Sequence, residues 1–218
     1  MLLDIIKQRS SVRNFSEKTI SGDEIKEILE AARLAPSWMN VQPWHFIAVT
    51  DPQTKSDLSN LANGQKQVAQ ASHVILIIAD LNAWNKDRFS KILKMREGMT
   101  EERLEYIFNN SGLYPKLRGE DMVVTRTIEQ CTYAIDHIIL QSKHLGIDSC
   151  IIGAFGNELT LFNPELYKEI KEKLELPENN FIAAMVALGY KKQDTTVPSK
   201  IRKDFDEVIS KEVYGNKF

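Results

Sequence analysis

Apolar residues recur along this chain with two different periods, and each period marks a different kind of element. Leu2–Gln8 predicts a short helix. Ser21 and Glu24 stand three apart just ahead of Ile25, Ile28, Leu29 and Ala32, a capping box followed by helical spacing. Pro36 ends that run, because the residue before a proline avoids helical geometry. Residues 44–50 predict a strand, and Asp51-Pro52 then caps a helix with proline at its first position. Residues 73–79 are apolar without alternation, so this second strand is expected to be covered on both faces. Residues 81–120 mix aromatics with charges and predict one or two amphipathic helices. Residues 121–145 place Val124, Ile128, Cys131, Ile135, Ile138 and Leu145 on a seam broad enough for a central helix, which Gly146 ends. A short strand at 149–152 follows, then a helix opened by Asn163-Pro164-Glu165 and finished before Pro177, then a last strand at 181–190. Residues 191–218 are polar, and long for a tail with nothing to pack on.

Helices outnumber strands and separate them, which gives an α+β or α/β layer structure. No repeat or low-complexity linker divides the chain, so one compact unit of 218 residues is expected, with room for a sizeable core. Composition narrows the function. Hydrophobic residues make up 43% and charged residues 27%, as in ordinary globular proteins. A net charge of -2 removes the electrostatic footprint of a general nucleic-acid binder. The longest apolar run, residues 181–188, is far short of a membrane span, and the first six residues, broken by Asp4, hold no secretory apolar stretch. Two cysteines, Cys131 and Cys150, do not suggest a secreted disulfide scaffold, so a reducing cytoplasmic setting is expected. Cys131 fits the helix seam as core, while Cys150 beside a glycine-containing turn is expected to be partly exposed. The chain has no G-x-G-x-x-G, phosphate-loop, H-E-x-x-H or G-x-S-x-G motif. The four histidines lack neighbours at ligand spacing, and no metal is expected.

Five segments could carry chemistry. Arg9-Ser10-Ser11-Val12-Arg13 sets two cations and two hydroxyls within five residues, suited to an anionic, polyhydroxyl ligand, although a solvated helix-end loop is the commoner use of such residues. Ala35-Pro36-Ser37-Trp38-Met39-Asn40-Val41-Gln42-Pro43-Trp44 combines prolines, tryptophans and hydrogen-bonding side chains, able to stack on a flat ring or to form a packing corner. Asn63-Gly64-Gln65-Lys66 offers an amide matched to the edge of a uracil-like ring. Cys150-Ile151-Ile152-Gly153-Ala154-Phe155-Gly156 follows a strand, with small residues that let a ligand approach backbone N–H groups. Lys200-Ile201-Arg202 suits a phosphate clamp.

In order and spacing, these segments resemble the nitroreductase family. The shared patterns are R-x-S-x-R-x-F at 9–15, P-S-x-x-N-x-Q-P-W at 36–44, G-Q-x-x-V at 64–68, the turn pattern at 146–153 and K-x-R at 200–202. The run at 64–71 looks closest to the NADPH-preferring branch. The resemblance implies an α+β fold with a mixed sheet flanked by helices, in a homodimer of interlocked subunits. It implies a single domain over 1–218, in which 81–120 is a lid excursion walling the pocket and 191–218 packs on the partner. It implies FMN at the subunit interface, with NADPH or NADH as electron donor and small acceptors such as nitroaromatics, quinones or flavins taking the same site in turn. By position, Arg9, Ser10, Ser11 and Arg13 would hold the phosphate and pyrimidine side, with Gln65 on the ring edge. Ile152, Gly153 and Ala154 would lie beside the flavin, Gly153 offering its N–H near N5, and Lys200 and Arg202 would grip the phosphate. Pro36, Ser37, Trp38, Met39, Asn40 and Gln42 would line the cofactor too, this loop coming from the other subunit. No side-chain acid or base is required. Many relatives carry small residues where this chain has Trp38 and Met39, so the space beside the flavin is expected to be reshaped. Other chemistries on the same fold, reductive dehalogenation, flavin fragmentation or azoline oxidation, remain open from the residues, as does flavin binding without catalysis.

Overall fold

The structure, a computed structural model, describes residues 1–153 and 163–218. Its centre is a four-stranded sheet of β1 (Trp44–Val49), β2 (His73–Asp80), β3 (Asp148–Gly153) and β4 (Asn180–Gly189), in the order β1-β2-β4-β3. Among the described residues the four strands pair antiparallel, and the α+β class with helices flanking the sheet is as the resemblance implies. The parallel element is one bridge, Ser11 to Ser149, where the chain ahead of the first long helix runs beside β3.

Period two explains the layers. Ile75, Ile77, Val186 and Leu188 face one side of the sheet, where α2 (Gly22–Arg33) and α7 (Glu120–His144) bring Ile28, Ala32, Cys131, Ile135 and Ile138 against them. Leu76, Ile78, Met185 and Ala187 face the other, against Leu58 and Leu61 of α3 (Pro52–Leu61), Val68 of α4 (Lys66–Gln70) and Ile170 of α8 (Pro164–Lys173). Both faces of β2 are covered, as its continuous apolar run requires. The expected capping box is present: Ser21 Oγ accepts from Glu24 N at 3.3 Å, and Ser21 N donates to the Glu24 carboxylate at 2.8 Å. The Ser21 hydroxyl also donates to that carboxylate at 2.7 Å, and together with the Ser21 N–H it holds the Glu24 carboxyl below its usual range. Gly146 turns the chain out of α7 in a left-handed conformation with φ +75°.

Residues 81–120 form two helices, α5 (Lys86–Lys94) and α6 (Glu101–Asn109), joined to α7 by a short 3-10 turn. Their apolar residues build a third core with Val41 and Val123. Its aromatic rings meet edge to face, Phe89 on Trp84 at 5.8 Å and Phe108 on Tyr114 at 5.0 Å. The tail beyond β4 is exposed throughout its last eighteen residues and includes a single-turn helix, α9 (Phe205–Val208). Among the described residues, no helix is long and apolar enough to cross a membrane.

Candidate functional site

The site is assembled around the segment leaving α1 (Leu2–Gln8). Arg9 ends that helix in an extended conformation. Val12 and Phe15 then turn inward and are almost fully buried, while Arg13 between them faces solvent. Backbone bonds fix the segment at both ends: Val12 N donates to Ser149 O at 3.0 Å and Ser16 N to Tyr190 O at 2.8 Å. Phe15 lies so close over Gly189 that a Cβ there would stand 2.8 Å from its ring. The apolar residues act as plugs, and they aim the two arginines along the outside of β3.

Both arginines lie within charge range of Cys150. Burial pushes its thiol up, while Arg13, a hydrogen bond with Gln67 and Arg9 pull it back. Cys150 is therefore buried, at 2% exposure, and the expectation of partial exposure is wrong: β4 on one side and the 9–15 segment on the other enclose it.

Gln65 and Gln67 stand on the turn that opens α4. Asn63 and Gly64 are both left-handed, and Gly64 N donates to Ser59 O at 2.9 Å. Gln67 is buried and its Nε2 donates to Gln65 Oε1 at 2.7 Å. This bond occupies the Gln65 carbonyl and leaves the NH2 of that exposed side chain as a donor. Sequence reasoning selected Gln65 and missed Gln67. The signal available was a glutamine directly ahead of an apolar valine in so short a helix.

From the tail, Lys200 Nζ donates to Ile6 O at 3.4 Å and also to Lys7 O, the last carbonyls of α1, which attract a cation. Partial desolvation lowers the Lys200 pKa first, followed by the charges of Arg9, Arg202 and Lys143. Lys200 thus lies within charge range of Arg9 and Arg202, and Cys150 within that of Arg13 and Arg9. Among the described residues none of these four cations has a carboxylate within ion-pair distance. Ser10 and Ser11 are half-buried beside them, and Ile152 is buried under the strand. Among the described residues, a Cβ on Gly153 would meet no atom within 4 Å. Ala154 lies outside the described residues.

The 36–44 loop is elsewhere. Trp38–Asn40 forms a 3-10 turn in which Met39 has φ 46° and Asn40 φ 60°, and Gln42 follows at φ 48°. Three non-glycine residues in left-handed geometry within four positions mark a strained loop, a pattern that concentrates at binding sites. Its restraints are specific: Ser37 Oγ accepts from Gln42 N at 3.0 Å, and Gln42 Nε2 donates to Asn40 Oδ1 at 3.1 Å. Trp38 N donates to Gln130 Oε1 at 2.6 Å, its indole Nε1 to Leu113 O at 3.4 Å, and the Arg126 guanidinium sits 5.2 Å over its ring. Trp38 and Met39 therefore lean on the third core, which absorbs part of their bulk. Pro36 is exposed at the loop's start. Gln130 and Arg126 are partners that sequence reasoning could not identify.

Helix α7 runs between these two groups. Gln130 holds the Trp38 loop, and Lys143, thirteen residues further on, touches the field of the Lys200 cluster. At 1.5 Å per residue that is about 20 Å. One chain brings Arg9, Ser10, Ser11, Arg13, Gln65, Gly153, Lys200 and Arg202 into one region, and it leaves Pro36 to Gln42 at the other end of the helix.

The sequence pattern that defines the nitroreductase family matches residues 6–190. The chain belongs to the nitroreductase family. Protein DrgA of Synechocystis is 30% identical over 200 residues, covering 91% of this chain and 87% of its own length. An oxygen-insensitive NADPH nitroreductase of Helicobacter acinonychis is 26% identical over 206 residues, covering 90% of each chain. In three dimensions, an FMN-dependent nitroreductase of Clostridium difficile superposes with a TM-score of 0.65 at 24% identity, over 99% of both chains. The chain carries its cation group and its strained loop on the segments whose patterns resemble the family.

Proposed function

We propose that this member of the nitroreductase family is an FMN-dependent oxidoreductase that passes a hydride from NAD(P)H to small oxidised acceptors, working as a homodimer. One observation carries the reading: four cations with no carboxylate at ion-pair distance among the described residues, an exposed amide NH2 on Gln65 and the glycine backbone of Gly153 lie on the segments around β3. Such a donor set fits a phosphate ester attached to a ring with carbonyl edges. Bound FMN would supply the redox chemistry, accepting and releasing the hydride at its N5, while the protein supplies binding and electrostatics.

In this reading Lys200 and Arg202 hold the phosphate, with Arg9, Ser10 and Ser11 beside it. Arg13 places positive charge at the pyrimidine edge, where a reduced ring gathers negative charge. Gln65 donates its NH2 to a ring carbonyl, and Gly153 presents backbone without a side chain in the way. A second copy of the chain supplies Pro36, Ser37, Trp38, Met39, Asn40 and Gln42. It would also cover the apolar face of α1, where Leu2 and Leu3 are more than half exposed, and the exposed tail with Ile201, Phe205 and Val213. Residues 81–120 wall the pocket as its lid, and the active protein is cytoplasmic.

The test is optical. Purified protein should be yellow and release FMN on denaturation, and anaerobic NADPH or NADH should bleach it. Colourless protein that binds no added FMN overturns the cofactor reading. Flavin that neither nicotinamide reduces would leave a flavin-binding protein without this activity. Light scattering at low concentration checks the dimer, and a stable yellow monomer would remove it.

A further inference from the structure

Helix α5 carries Lys86, Arg88, Lys91 and Lys94 against a single acid, Asp87. Two of these charges have partners. Arg88 grips Asp80 at two points, Nη2 to Oδ2 at 2.8 Å and Nη1 to Oδ1 at 3.3 Å, and Lys94 pairs with Glu101 at 2.7 Å. Lys91 is exposed and has no carboxylate at ion-pair distance among the described residues. Between α5 and the strained loop lies a cavity of about 320 Å³, lined by Val41, Gln42, Ala83, Arg88, Lys91 and Ile92. That volume is at the small end of ligand sites. Its lining is two cations, one amide and an apolar floor, with no carboxylate.

The Asp80 carboxylate does not compete for an incoming anion. It is largely buried, and its oxygens are taken by Arg88 and by Asn82 N at 3.0 Å. The same bond fixes the guanidinium, which has five donors and spends two of them on Asp80, leaving others free. Arg88 is thus an oriented anchor and Lys91, one turn further along the helix, a free point charge. Gln42 joins this cavity to the loop, since its side chain also holds Asn40.

We propose that this cavity takes a phosphate monoester of the electron donor, the 2′-phosphate that distinguishes NADPH from NADH, with Lys91 and Arg88 as its ligands. A phosphate monoester carries about −1.5 to −2 charge at neutral pH and three acceptor oxygens, which matches one free cation beside one anchored guanidinium. The hydroxyl at that position of NADH offers no charge to either residue. The inference rests on the oxidoreductase reading above, because it assigns the site to the donor of that reaction.

The probe is adenosine 2′,5′-bisphosphate, titrated calorimetrically into FMN-loaded protein, with 5′-AMP alongside. Wild-type protein should bind the bisphosphate more tightly than 5′-AMP. Lys91→Gln should weaken the bisphosphate about tenfold, as for one charge-assisted contact, and leave 5′-AMP unmoved. Lys94→Gln removes the same charge from the same helix outside the cavity and should change neither. The KM for NADPH should rise in Lys91→Gln while the KM for NADH stays. Equal binding of both probes to wild type, an unchanged Lys91→Gln, or an equal loss in Lys94→Gln each overturns the site. Lys91-dependent bisphosphate binding in a protein whose flavin NADPH cannot bleach would uphold the site and refute the reaction. Bleaching by NADPH that ignores Lys91 would do the reverse.

Discussion

Substituting Gly189 with alanine should damage both the fold and the proposed cofactor cradle through one contact. Gly189 has an ordinary β backbone, so alanine can adopt it, and the narrower unfolded ensemble alone would stabilise the protein by about 0.4–1 kcal/mol. The space is what forbids it. An added Cβ would stand 2.8, 3.0 and 3.2 Å from Cδ1, Cγ and Cβ of Phe15, against a comfortable carbon separation of about 3.5–4.0 Å. Rotating the ring cannot relieve all three contacts, because the Phe15 Cβ moves only with its backbone. The residue must retreat by roughly 1 Å into a packed core. Overpacking of this kind costs about 1–3 kcal/mol, so the steric term outweighs the entropic gain and Gly189→Ala should be destabilising.

Urea unfolding of apo-protein reads the first effect as a lower midpoint with an unchanged slope. A double-mutant cycle isolates the contact. Phe15→Ala removes Cγ and Cδ1, so Gly189→Ala should cost at least about 1 kcal/mol less in that background. Strict additivity would refute the contact. Ser16 and Asn14 are bonded to Tyr190 and Lys192, so the retreat of Phe15 also drags the strip carrying Arg9 and Arg13. FMN affinity of Gly189→Ala should therefore fall even where the protein is fully folded. If it binds FMN as tightly as wild type, the plug is only a plug.

Arg202→Ala should weaken FMN retention by about 1.5–3 kcal/mol, and saturating FMN should restore turnover; a rate that stays low at saturation removes the phosphate role. Arg13→Gln keeps a hydrogen-bond donor but loses the charge, and should lower the flavin potential by about 30 mV, or about 1.4 kcal/mol for two electrons; a dye-coupled titration showing no shift or a rise contradicts it. Burial pushes the Cys131 thiol up to about 12 and raises Cys150 as well, so a thiol reagent at pH 8 should label neither in the native protein and both in urea. One native label appearing at full rate would show that β3 is open at Cys150.

Where apolar residues pack on the sheet, their period was readable. The seam of α7 and the continuous apolar run of β2 each meet a broad, flat partner, so spacing in sequence maps onto one face. Residues 81–120 were harder because their partners are each other. Phe89 and Leu93 of α5 meet Leu104 and Phe108 of α6 and the 3-10 turns between, so no single stripe serves one surface. The cation group was legible as separate motifs, yet its convergence depends on bridges from Ser11 to Ser149 and from Phe15 to Lys191. Cys150 misled for the same reason, since its cover comes from a segment far away in sequence. Trp38 is held by Leu113, Arg126 and Gln130, 75 to 92 residues on, and no local pattern encodes such partners.

The separation of about 20 Å along α7 bears on what holds the two groups together in use. The cations suit the phosphate end of a ligand, and the strained loop, with its indole and amides, suits a ring. Under the proposed function, each group would be one half of a site. Helix α7 is stiff, anchored to α2 and the sheet along its length, so no hinge closes that gap. A second chain can, if it lays its own loop against the first chain's cations. The surface such an arrangement would bury is the surface that one chain leaves apolar and bare: the outer face of α1, directly beside the cation group, and the tail carrying Lys200 and Arg202. Cofactor binding and dimer formation should then be one equilibrium, with added FMN tightening association by as much as association tightens FMN.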